Sequence, residues 1–216
     1  MPRSPLTAHH SPIRVTRAIF RGSLRPATWL GILCLWACGA RRPVVSSSPA
    51  EPPAAPRTLP LARVIVLETS GPPPSDTSVS FTAGTAHVIV LRHGPPENIV
   101  FAQLSFGADA FADSGQTVRV EVHPRPGVYG LDLSTSLPIR AAPEGARVLF
   151  DYARYFSAPL RARQVHGSDI AFEHALAVGR LLPDNQIELL PSTRPAPDNL
   201  SARMPSAGSY LVAAPQ

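Results

Sequence analysis

Thr117-Val118-Arg119-Val120-Glu121-Val122-His123 alternates polar and apolar residues without a break. A period of two puts the valines on one face of a strand and the polar residues on the other, which predicts one buried and one solvated face. Arg147-Val148-Leu149-Phe150-Asp151-Tyr152 is more apolar, and Val148, Phe150 and Tyr152 share a face. Segments 61–68, 79–81, 86–92 and 98–106 are rich in β-branched and aromatic residues, which suit a pleated, half-buried surface. Pro124-Arg125-Pro126-Gly127 predicts a turn into a strand at 128–133. Ala83-Gly84 predicts a hairpin joining 79–81 to 86–92. Strands are also predicted at 176–181, 186–190, 199–204 and 209–213, with a type I turn at Pro183-Asp184-Asn185. The one helical piece expected is a single turn at Ala108–Asp113. Short strands at intervals of about 8–12 residues with turn signals between them predict an all-β fold, an immunoglobulin-like antiparallel β-sandwich over residues 61–216.

The first quarter of the chain follows a different pattern. Residues 1–26 carry Arg3, Arg14, Arg17, Arg21 and Arg25 and no acid, and Ala27 to Ala40 is almost wholly apolar. A basic start, a short apolar stretch and a small-residue exit are the layout of a secretory signal. The apolar stretch falls short of the roughly 20 residues a membrane-spanning helix needs, and Arg25 and Arg41 close it on both sides. It ends on Leu35-Trp36-Ala37-Cys38, followed by Gly39, which resembles the lipobox of bacterial lipoproteins. Trp36 fills a position that is usually small. The resemblance implies a signal peptide over 1–37 and acyl chains on Cys38 as the first residue of the mature protein. Lipoproteins held at the inner membrane commonly have aspartate after the cysteine, so Gly39 implies the outer membrane. The alternative is ordinary cleavage near Ala37 or Ala40, giving a soluble periplasmic or secreted protein. Residues 38–60 hold six prolines from Pro43 to Pro60 and the run Ser46-Ser47-Ser48, the composition of an extended, semi-rigid spacer.

Removing that leader changes the charge. All 15 acids lie at Glu51 or later, whereas five of the 20 arginines precede Cys38, leaving 15 of each sign. A nucleic-acid partner needs a surplus of cation to displace phosphate counterions, so that class is excluded. Cys34 and Cys38 are the only cysteines, so the mature chain has no internal disulfide to stabilise it.

Three stretches carry a second resemblance. Val100-Phe-Ala-Gln-Leu-Ser-Phe-Gly-Ala-Asp-Ala-Phe-Ala112, the strands around Val128–Leu133, Leu137-Pro138-Ile139 and Ala146–Tyr152, and the closing runs Ile187–Ser192 and Gly208–Val212 resemble one known module. It is the β-sandwich domain named after zona-occludens proteins and netrin receptors, which bacterial surface proteins also carry. The resemblance implies a non-catalytic interaction or scaffold module, and it supplies no catalytic or ligand residues.

Reactive side chains give no catalytic constellation. His87, His93, His123, His166 and His174 lack the helical i, i+4 spacing of a zinc site, so no metal or other cofactor is expected. Asp109 and Asp113 offer too few oxygens for calcium. His166-Gly167-Ser168-Asp169 has the residue types of a hydrolytic triad, but neighbours in sequence seldom converge as a triad must, and there is no nucleophile elbow. Tyr152, Arg154, Tyr155 and Phe156 form the candidate ligand-binding patch, where aromatic faces and a guanidinium suit a sugar or peptide. Burial in the sandwich is the competing role for these rings. The expectation is a membrane-anchored envelope lipoprotein whose sandwich is a non-enzymatic interaction or structural module. Its partners would be membrane lipid through Cys38 and an envelope protein or glycan. The alternatives are a glycan- or peptide-binding module and a small secreted hydrolase.

Overall fold

The computed structural model describes residues 55–216. The signal segment, Cys38 and the spacer up to residue 54 lie outside the described residues. The strands are β1 (Arg57–Pro60), β2 (Val64–Val66), β3 (Thr77–Thr82), β4 (His87–Arg92), β5 (Val100–Phe106), β6 (Thr117–Pro124) and β7 (Gly130–Thr135). They continue with β8 (Ala146–Asp151), β9 (Ala177–Leu182), β10 (Gln186–Leu189), β11 (Ser192–Thr193), β12 (Asn199–Arg203) and β13 (Gly208–Pro215). Two helices, α1 (Leu160–His166) and α2 (Asp169–Ala175), lie between β8 and β9.

All strand pairs are antiparallel and form two sheets, the expected all-β sandwich. The larger sheet runs β1-β10-β9-β13-β7-β6-β3, with β2 pairing with β13. The smaller runs β11-β12-β8-β5-β4. The alternating segment 117–123 forms β6, with Val118, Val120 and Val122 buried. Across from them the smaller sheet contributes Leu104, Phe106, Val148 and Phe150 to the same core. Phe101 lies between the sheets, stacked on Tyr129 with ring centres 5.5 Å apart and edge-on to Phe150 at 6.0 Å. Such aromatic contacts add to the gain from burial alone.

Four expectations are corrected. First, β3 and β4 are not a hairpin: β3 pairs with β6, β4 pairs with β5, and the strands lie in opposite sheets. The Ala83 backbone binds Gln116 and Gly115 instead, which carries the chain across the sandwich. Second, no helical turn forms at 108–113. Ala110 N–H closes a tight turn on the Gly107 carbonyl, and Phe111 bridges to Ile139. Third, Asp184 and Asn185 both have positive φ, the sign pattern of a type I′ rather than a type I turn. That turn twists with the right-handed β9–β10 hairpin, and Asp and Asn tolerate its left-handed backbone. Fourth, the sheet starts at Arg57, inside the segment read as spacer. Pro60 is compatible with that strand because β1 is at the sheet's edge, where a missing N–H costs no ladder bond.

The helices are held by their caps. Gly167 ends α1 with φ 80°, a left-handed conformation that glycine adopts without strain. Ser168 then starts α2, its Oγ accepting from Ala171 N–H at 3.1 Å. Each helix buries one residue, Ala162 and Phe172, so together they cover one end of the shared core.

Candidate functional site

The stretch 151–156 leaves β8 and sends its side chains in three directions. Tyr152 is fully buried. Its hydroxyl lies 3.3 Å from both Glu173 Oε1 and the Pro197 carbonyl and accepts from the Arg194 guanidinium. Burial pushes that hydroxyl's pKa up to about 12, against the opposing pull of Arg194. The same guanidinium donates to the carbonyls of Glu173 and Leu176, so a cation closes the C-terminal end of α2. Phe156 is half-buried between Tyr152 and Phe172, with ring centres 5.7 and 6.4 Å away.

Arg154 and Tyr155 turn toward the β4–β5 loop and meet Glu97. Arg154 Nε and Nη2 donate to the two carboxylate oxygens at 2.9 and 2.8 Å, and the Tyr155 hydroxyl donates to Oε2 at 3.0 Å. This fork, with Tyr155 second, holds the Glu97 carboxyl down at about 2. The Tyr155 ring packs on buried His93, centres 4.8 Å apart. His93 Nδ1 lies 2.9 Å from the Pro72 carbonyl, which can only accept, so the proton is on Nδ1. A Cβ on Gly71 would come within 2.6 Å of the Tyr155 ring and 2.8 Å of His93, so this close approach requires glycine. Of the four candidate ligand residues, Tyr152 is thus in the core and Phe156 is under the helices. Arg154 is 62% exposed but already neutralised by Glu97. The Arg154–Tyr155–Glu97 cluster can exchange hydrogen bonds with a polar ligand, and it has no free charge with which to attract an ion.

The other reactive side chains are dispersed. His87 stacks on Phe81 at 4.3 Å, and His123 pairs with Asp76 at 2.9 Å, which raises its pKa. His166, Ser168 and Asp169 do not converge: Ser168 caps α2, and Asp169 pairs with Arg163. Asp109 accepts from Glu144 N–H at 3.2 Å. Among the described residues no group of three His, Cys, Asp or Glu side chains is arranged to hold a metal ion.

A different convergence lies where Leu190-Pro191 carries the chain from the larger sheet to the smaller. Two adjoining recesses, about 280 and 390 Å³, share Pro191 and Arg203. The first is walled by Ala142, Ala146, Leu190, Met204 and Pro205 and bordered by Arg140. The second is lined by Arg147, Thr193 and Ser201. Arg147 and Arg203 are direct partners in the β8–β12 ladder. None of Arg140, Arg147 and Arg203 has a carboxylate partner among the described residues, whereas Glu188 at the rim is paired with Arg180 at 2.9 Å. The sequence carried half of this signal, since Val148, Phe150 and Tyr152 facing inward leave Arg147 facing out. Its pairing with Arg203 is a matter of register between distant strands.

Comparison of the chain with protein-family models, with curated proteins and with solved structures finds no match.

Proposed function

We propose that the protein is a lipoprotein of the bacterial cell envelope, acylated on Cys38, that holds a non-catalytic β-sandwich on a spacer at the outer membrane. The observation that carries this reading is Leu35-Trp36-Ala37-Cys38 at the end of an apolar stretch too short to span a bilayer. Two acyl signals or more give stable anchoring where a single chain binds only marginally. The proline-rich segment between Cys38 and β1 then sets the reach of the domain from the surface. The likeness to the zona-occludens and netrin-receptor module supports the interaction role.

The test is the intact mass of the protein taken from its membrane, beside a Cys38→Ala variant. The expected result is a diacyl or triacyl adduct on a chain that starts at Cys38, lost in the variant. An unmodified chain with another start, found in the soluble fraction, overturns the anchor.

A further inference from the structure

We infer that the double recess beside Pro191 is a binding groove for an acidic, extended peptide segment, with Arg140, Arg147 and Arg203 receiving its carboxylates. This rests on reading the domain as an interaction module, and it is independent of Cys38. Like charges placed directly opposite on neighbouring strands destabilise a sheet, and Arg147 faces Arg203 in that way. An arriving anion relieves the repulsion, so the pair is worth more with a ligand than without. Arg203 Nη1 is held by the Ala142 carbonyl at 3.2 Å, which fixes the guanidinium between the two recesses and leaves its other donors available. Guanidinium matches carboxylate in planar, two-point geometry.

Two further features favour a peptide over a phosphate-bearing surface. The first recess is walled mainly by alanine, leucine, methionine and proline, which offer a phosphate nothing and an aliphatic side chain a dry seat. The recesses share Pro191 and Arg203, so one chain can seat an apolar side chain in the first and an acidic one beside Arg147 in the second. Ser201 and Thr193 line the second recess and add hydroxyls for backbone or side-chain partners. The full chain carries a net charge of +5, so an arginine variant far from the groove is needed to separate this local cluster from a general basic field.

The experiment uses the full chain with Cys38→Ala, so that neither its success nor its failure depends on acylation. The probe is a fluorescein-labelled octapeptide alternating glutamate and valine, with the lysine–valine peptide as control, read by anisotropy at low and high salt. The expected result is salt-sensitive binding of the glutamate peptide only. Arg147→Gln and Arg203→Gln should each weaken it about tenfold, with the circular dichroism spectrum unchanged. Arg140→Gln, in the loop before β8, tests the same groove should a strand variant fail to fold. Arg92→Gln, on the edge strand β4 and outside both recesses, should leave binding intact. No binding at low salt, or equal losses in Arg92→Gln and the groove variants, overturns the proposal. Arginine-dependent binding to phosphatidylglycerol vesicles with none to the peptide also overturns it, and assigns the groove to lipid headgroups.

Discussion

Strands β13 and β4 are both apolar in composition, yet they sit in their sheets differently. In β13, Tyr210, Val212 and Ala214 enter the core shared by the two sheets. Leu211 and Ala213 point to the opposite face, where Val64, Ile187 and Leu189 form a second buried cluster, edged by Leu59 and Leu61. In β4, Ile89 and Leu91 point inward, but Val88 and Val90 remain 51% and 42% exposed. The difference follows from position. Strand β13 is central, with β9 on one side and β7 and β2 on the other, and Leu61, between β1 and β2, packs on the cluster at its outer face. Strand β4 is an edge, and no described segment crosses its outer face. An apolar run therefore states only that burial is available, and the neighbours decide whether one face or both are covered.

The sharpest way to break this comparison is to cut one residue from each outer face. Ile187→Ala should lower unfolding free energy by about 2–5 kcal/mol in a denaturant titration, since it removes fully buried atoms and leaves a cavity. Val90→Thr should change stability by less than about 0.5 kcal/mol. Equal losses would mean that the outer face of the smaller sheet is covered after all.

A smaller effect separates strands from helices. Ser168→Ala removes the only side-chain cap of α2 and should cost about 1 kcal/mol, within a range of about 0.5–2. The loss belongs at the end of the core that Phe172 and Phe156 cover, so hydrogen exchange should quicken at 169–175 before it quickens in β13. Uniform quickening would mean that the helices and the sheets open as one unit.

These elements also show what the sequence made legible. Strands β6, β8 and β10 follow from periodicity because each has at least one face in the core and so repeats every two residues. The helices escaped it because each is seven residues long and buries one, too little for a period of 3.6 to register. Their signal was in the caps, Pro159 before the first helix and Gly167-Ser168-Asp169 between the two. Together with His166, those last residues carry the side chains of a hydrolytic triad and of a helix boundary alike, and the fold uses them as the boundary. The mistaken β3–β4 hairpin has another cause. Ala83-Gly84 is a competent turn, but partner choice depends on contacts that span tens of residues, here β3 with β6. The site was legible to a similar degree. Sequence marked Tyr152 to Phe156 as either patch or core, and only the fold divides them between the two and supplies Glu97 as the partner of Arg154 and Tyr155.

The smallest expected effect lies at that contact, where the loop behind the edge strand β4 is tied to the end of β8. Glu97 is held at about 2, below its ordinary 4.5, chiefly by Arg154. A carboxyl with a depressed folded pKa contributes stability that is fully present above its unfolded value and lost as pH falls through the folded one. The Glu97 contribution should therefore be complete at pH 7, decline below about 4.5, and vanish only once the pH is below about 2. Glu97→Gln should melt at a slightly lower temperature than the parent at pH 7, by less than Ser168→Ala does, with the gap closing across that acid window. High salt should narrow the gap as well, because the pair is at the surface. Asp169 is also depressed by its partner Arg163, but it is common to both chains and cancels in the difference. A gap that stayed constant down to pH 2 would mean that the substitution disturbs the packing of Tyr155 on His93 rather than removing a charge. The edge of the smaller sheet would then be held by the aromatic contact and not by the ion pair.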